Sequence, residues 1–157
     1  MNICYYKRVM TSFAENRKAH FNYEILEKIT AGIELLGFEV KAVKAGRMTL
    51  DGSYVTIRGN EAFLIGAGVT SLQPKNTPTD YDERRNRKLL LTKKEITRLS
   101  GSENQNGLTI IPLSVYNMGR KIKVELGLAR GKKTRDKRDS IKTRESDREI
   151  RRTLKEQ

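Results

Sequence analysis

Between Lys121 and Leu128 apolar and polar positions alternate strictly: Ile122, Val124, Leu126 and Leu128 point one way, and Lys121, Lys123 and Glu125 point the other. A period of two predicts a half-buried antiparallel strand. Ile111, Leu113 and Val115 repeat the alternation upstream, and Asn117-Met118-Gly119 supplies the turn between the two. Pro112 cannot donate to a ladder, which places that strand at an edge, a bulge or a barrel seam. Tyr54 to Ile65 reads as a hairpin around Gly59-Asn60. A longer strand, Tyr23 to Ile33, sets Tyr23, Ile25, Ile29, Ala31 and Ile33 on one face.

Two helical signals interrupt the strands. Thr92-Lys93-Lys94-Glu95 is a capping box: the Thr side chain accepts from the Glu95 amide while Glu95 reaches back to the Thr92 amide. Leu91 and Ile96 are spaced as its hydrophobic staple, and Gly101 is the expected stop. The second signal lies between Gly37 and Gly46, where Leu36, Val40 and Val43 share a face and Glu39 flanks it. Leu72 to Asn86, with Pro74 and Pro78, reads as a loop. This plan is mainly β. We expect an OB-fold-type closed antiparallel barrel with two or three short helices, because closure removes exposed strand edges. A sandwich is the alternative.

Composition changes the picture at the C-terminus. Residues 131–157 hold eleven Lys/Arg and six Asp/Glu, and their large apolar residues are Ile141, Ile150 and Leu154. Such a segment buries too little to offset about 1–2 kcal/mol per residue of backbone entropy, so alone it is expected to be disordered. Asp147 with Arg151 and Ile150 with Leu154 still favour a helix, while Arg144, Arg148 and Arg152 repel one another along one face. The segment is thus a tail that becomes helical once an anionic partner neutralises the stripe, or else a solubilising appendage. The whole chain carries 32 Lys/Arg against 19 Asp/Glu, a formal net charge of +13. That excess asks for a polyanion.

Candidate chemistry is sparse. One Cys (Cys4) and one His (His20) exclude an internal disulfide and leave too few soft ligands for zinc. No apolar run approaches the roughly 18 residues of a membrane span, and the first residues lack a secretory signal's apolar stretch, so a cytoplasmic protein is expected. His20 as a general base with Asp80, Asp82 and Glu83 on Mg²⁺ would make a nuclease; the plainer reading is a surface His and a solvated acidic loop. No phosphate loop, dinucleotide fingerprint or nucleophile elbow is present. The clusters Arg17-Lys18, Arg84-Arg85-Asn86-Arg87-Lys88, Lys93-Lys94 and Lys132-Lys133 suit phosphate contacts, and Tyr23, Tyr54, Tyr81 and Tyr116 suit stacking on unpaired bases.

Five blocks carry a resemblance: Asn16-Arg17-Lys18-Ala19, the run AGIELLGFEVKAVKAGRMTLDGSY, then RKLLLTKKEI, GLTIIPLSVY and KVELGLARGKKTRDKR. In this order they resemble the small protein B (SmpB) partners of transfer-messenger RNA. The resemblance implies a barrel that clasps the tRNA-like domain of that RNA and enters stalled bacterial ribosomes with it. It implies no chemistry and no cofactor, and no metal site or membrane attachment. A monomer is expected, whose tail reaches through the decoding centre into the vacant mRNA channel. Phe21-Asn22-Tyr23 departs from the His-Asp-Tyr of many members, Arg135 replaces an aromatic or His, and Thr92 replaces a frequent His.

On this reading residues 1–15 are an unassigned extension, residues 16–130 the RNA-binding barrel and residues 131–157 the tail. The RNA contacts expected from the resemblance and the charge are Asn16, Arg17, Lys18, Glu39, Lys41, Arg87 and Lys88. The ribosome-directed set is Gly131, the swivel between barrel and tail, with Lys132, Lys133, Arg135, Asp136, Lys137, Arg138, Ile150 and Leu154. A constitutive ribosomal or RNA-packaging protein and a nuclease are the competing readings.

Overall fold

The computed structural model describes residues 11–105 and 107–154. Cys4 lies outside them. The strands are β1 (Ser12–Glu15), β2 (Tyr23–Ile33), β3 (Met48–Thr49), β4 (Tyr54–Arg58), β5 (Glu61–Ile65), β6 (Gly68–Val69), β7 (Arg87–Leu90), β8 (Leu108–Met118) and β9 (Lys121–Gly131). Helices α1 (Ala19–Asn22), α2 (Gly37–Lys44), α3 (Lys93–Glu103) and α4 (Thr134–Thr153) make four. The fold is mainly β and antiparallel. β1 falls within the segment assigned to no domain: it pairs with β8 through Ser12↔Tyr116 and Glu15↔Ser114, so the sheet begins before Asn16.

Hydrogen-bonded neighbours lead from β8 to β4, β5, β7, β2 and β9, and β9 pairs with β8 again. A circuit of six strands therefore surrounds the main core, in which Ile29, Val55, Leu64, Leu89, Val115 and Leu126 are buried. Gly32↔Leu90 and Ile33↔Leu89 are the contacts between β2 and β7. Glycine fits closely there: a Cβ on Gly32 would lie 3.1 Å from the Leu90 Cβ and push that side chain aside by a few tenths of an ångström. β3 and β6 form a separate two-stranded sheet.

The strand expectations hold with instructive exceptions. β2 spans Tyr23 to Ile33 as expected, but its apolar residues serve two cores. Ile29 and Ala31 enter the main one, whereas Tyr23 and Ile25 pack on a second cluster of Ala19, Ile111, Leu113 and Ala129. The division follows from a slip in the β2–β9 register between Ile25 and Glu27. A second slip, between Pro112 and Ser114 in the β8–β9 register, divides Ile111 and Leu113 from Val115. Each bulge inserts a residue and reverses the side chains that follow. Gly127 lets the second cluster close over β9, since a Cβ there would meet Leu113 at 3.1 Å and Ile25 at 3.3 Å.

The turns and helices need smaller corrections. Gly59-Asn60 makes the expected two-residue turn, with Arg58 opposite Glu61. Met118 pairs with Lys121, so the β8–β9 turn is Gly119-Arg120, and Asn117 and Met118 belong to the strand. The α3 capping box forms as read, with the Glu95 amide donating to Thr92 Oγ1 and the Thr92 amide to Glu95 Oε2. Gly101 does not stop α3: the helix continues to Glu103, whose Oε2 accepts from the Ile57 amide and fastens its last turn to β4. In α2 the buried face is Glu39, Ala42 and Val43, rotated away from Leu36, which is 45% exposed.

Candidate nucleic-acid interface

The rotation of α2 has an electrostatic cause. Glu39 and Arg87 are both 0% exposed, and two arginines converge on this one carboxylate. Arg85 donates from Nε at 3.0 Å and Nη2 at 2.6 Å, and Arg87 from Nη2 at 2.8 Å. The Leu36 amide donates to Glu39 Oε2 at 2.9 Å, and the Tyr81 hydroxyl lies 2.9 Å from Oε1. Arg87 also donates to the carbonyls of Ala67, Glu83 and Arg85. Burial alone would raise the Glu39 pKa; the hydrogen bonds from Arg85, the Leu36 amide, Arg87 and Tyr81 outweigh it and hold it at about 2. Burial and the neighbouring carboxylate push Tyr81 up to about 12. The cluster pins the 72–86 loop, irregular except for one 3-10 turn (Pro74–Asn76), between α2 and β7.

Two expected RNA contacts, Glu39 and Arg87, are therefore corrected: enclosed side chains have no surface to offer RNA. Tyr81 is likewise structural, packed edge-on against Phe38 with ring centroids 4.8 Å apart. A charge in a loop-flanking sequence looks solvated until a counter-charge from 48 residues away arrives.

The remaining expected contacts fall at separate places. Lys88, half-exposed on β7, lies in a depression of about 580 Å³ with Thr30, Glu61, Leu90, Lys93 and Lys123. Its ammonium is ion-paired with Glu61, which raises the Lys88 pKa. A second depression, about 340 Å³, shares Leu90 and Lys123 and has Lys44, Arg120 and Lys121 at its edge. Leu90, 56% exposed, stands between the two. Lys41 is exposed on α2, one turn before Lys44, and neither it nor Arg17 takes an ion pair among the described residues. Leu90, Lys123, Arg120 and Lys44 were missed in the sequence. One signal was available: successive residues of a strand face opposite sides, so Leu89 and Leu90 could not both face the core.

Asn16 and Lys18 line a different cleft of about 490 Å³ with Asn22, Tyr23, Ser53 and Tyr54. Asn16 is nearly buried, and its Nδ2 donates to the Pro112 carbonyl at 3.1 Å, so much of its capacity is spent on β8. Lys18 is exposed and pairs with Asp51 at 3.1 Å. Tyr54 presents a half-exposed ring to the cleft.

The tail leaves the sheet beside this cleft. Gly131 is paired with Tyr23, and the next amide, Lys132 N, donates to the Asn22 carbonyl at 2.9 Å. Lys132 Nζ donates to the His20 carbonyl at 2.9 Å. Gly131 is thus held in the ladder, and the direction change falls at Lys133, the residue that precedes α4. The Lys133 amide donates to Asp136 Oδ2 at 3.2 Å, which gives Asp136 a capping role. Arg135 and Arg138 are exposed, Lys137 is half-exposed, and Ile150 and Leu154 are 54% and 69% exposed. None of the α4 residues is buried. The Arg144 guanidinium reaches the body, 5.7 Å from the Phe21 ring centroid.

Among the described residues no group of three or more His, Cys, Asp or Glu is placed to hold a metal ion. No helix among them is long and apolar enough to cross a membrane. A mainly β body with cation-edged depressions and an exposed basic helix defines a protein of the class that faces polyanions. The chain belongs to the SmpB family: the family model "SmpB protein" matches residues 13–156. Among relatives, an SsrA-binding protein of Gloeothece citriformis is 46% identical over 141 residues, 90% of this chain and 91% of the relative. One from Magnetococcus marinus is 49% identical over 142 residues, 90% of this chain and 94% of the relative. A chain of the solved structure described as "tmRNA-SmpB: a journey to the center of the bacterial ribosome" is 45% identical, with a TM-score of 0.64 over 76% of this chain and 84% of that one.

Proposed function

We propose that this protein binds the tRNA-like domain of transfer-messenger RNA and delivers it to stalled bacterial ribosomes for trans-translation. The observation that carries this reading is the family match over residues 13–156, which takes in the strands and the basic tail alike. We read the six-strand circuit as an OB-type closed barrel and the two depressions beside Leu90 as its RNA face. Lys88, Lys123, Lys121 and Lys44 supply cations there, and Leu90 supplies an apolar surface for a base or ribose. Asn16, Lys18 and Tyr54 form a second polar surface, beside the root of the tail, and Arg17 lines a separate depression along β1.

The protein acts in the cytoplasm and by position, without chemistry of its own. The tail does its work in the vacant mRNA channel: a phosphate-lined path would relieve the repulsion among Arg144, Arg148 and Arg152 and stabilise α4 as a helix. Lys132 and Lys133 guide its entry, Arg135, Lys137 and Arg138 reach the decoding centre, and Ile150 and Leu154 give the distal helix an apolar edge.

The test is to end the chain after Lys133, which spares both hydrogen bonds of Lys132. Affinity for the tRNA-like RNA should change by less than about threefold near physiological salt, where loose electrostatic contacts are screened. Tagging of stalled peptides in a reconstituted translation system should be lost. Abolished RNA binding, or intact tagging, would overturn this division of labour.

A further inference from the structure

We propose that Glu61 is a specificity-determining residue of the RNA face, admitting RNA that offers its carboxylate a hydrogen-bond donor and rejecting RNA that brings a phosphate there. This rests on the function proposed above. Glu61 closes the Gly59-Asn60 turn opposite Arg58, and its exposed carboxylate is paired with Lys88 in the depression that Lys93 and Lys123 also line. The other carboxylate there, Glu95, is committed to the α3 cap through the Thr92 amide and hydroxyl. Glu61 has Lys88 as its partner and keeps acceptor positions open to solvent.

The chemistry of that arrangement is selective. Lysines alone attract any phosphate array in proportion to the phosphates neutralised, whatever the shape of the RNA. A carboxylate accepts hydrogen bonds and donates none, so a phosphate laid on Lys88 meets repulsion from Glu61. A 2′-hydroxyl or an exocyclic amino group is instead a donor and satisfies it. Glu61 therefore trades general attraction for a requirement on which RNA group arrives. Without it, Lys88 would serve any duplex.

The experiment compares the full-length protein with Glu61→Gln, an isosteric change that removes the charge. Each is titrated with the tRNA-like domain of transfer-messenger RNA and with a DNA duplex of about 20 base pairs, which brings phosphates but no 2′-hydroxyl, over a range of salt. Glu61→Gln should tighten duplex binding by about fivefold to tenfold at moderate salt and steepen its log K against log salt by about one unit. Affinity for the tRNA-like RNA should stay the same or fall. Lys88→Gln in the same background should erase the duplex gain, as expected of a coupled pair. Equal gains for the RNA and the duplex would reduce Glu61 to a plain negative charge and overturn the proposal, as would no gain for the duplex. If the unmodified protein bound the tRNA-like RNA and the duplex equally, the function itself would be at fault, whatever Glu61→Gln did.

Discussion

The surroundings of Glu39 and the helix α4 are built from the same residue types and come to opposite ends. Around Glu39, two arginines, a tyrosine hydroxyl and a backbone amide surround a carboxylate that water does not reach. Along α4, arginines and carboxylates lie in solvent with none buried. Removed from water, charges must satisfy one another, because an unpaired buried ion costs several kcal/mol. Left in water, they attract weakly, and exposed pairs contribute roughly 0–1 kcal/mol. Buried Arg87 and half-buried Arg85 therefore hold the fold, and the exposed arginines are left for a partner. A count of basic residues assigns both to RNA; only the second set is available.

The comparison breaks most visibly at Glu39. Glu39→Ala strands Arg87 without its counter-ion and should destabilise the protein by about 3–5 kcal/mol, lowering the thermal midpoint by roughly 10 °C or more. Calorimetry checks it; a change under about 1 kcal/mol would mean that water enters and solvates the arginines.

A gentler probe is acid. The folded Glu39 pKa of about 2 lies below its ordinary value of 4.5, so the unfolded chain binds the proton more tightly. The contribution of Glu39 is complete above pH 4.5 and is lost as pH falls from 4.5 towards 2. Urea midpoints across that window should fall less steeply for Glu39→Gln than for the unmodified protein. Parallel curves would contradict a carboxylate held in its charged form.

The smallest effect belongs to the tail. Arg144→Ala removes the contact with Phe21 and should cost no more than about 1 kcal/mol, read as lower helical content over residues 134–153 with an unchanged midpoint for the β body. A shift in that midpoint would show that α4 supports the body after all.

Much of this molecule is legible in local patterns. The strand at Tyr23, the Gly59-Asn60 turn and the Thr92 capping box each depend on a few neighbouring residues, and each forms as those residues require. The tail's polarity already meant that it could bury nothing. The blocks around residues 16–19, 31–54, 87–96, 107–116 and 123–138 sufficed to name the family.

Tertiary structure decided where the alternation changes face and which charges leave the surface. Ile25 reads as sharing a face with Ile29, and Leu113 with Val115, but bulges opposite β9 shift the pairing by one residue and separate them, and pairing is a property of two strands. Gly131 reads as a swivel from its residue type, but hydrogen bonds to the α1–β2 segment hold it and Lys132 in place. Glu39 and Arg87 read as RNA contacts because side-chain type gives charge and says nothing of enclosure. Enclosure required α2, the 72–86 loop and β7 to meet, and that meeting is made by contacts between residues far apart in the chain. Periodicity records what one segment needs to bury; the partner that buries it is chosen by the fold.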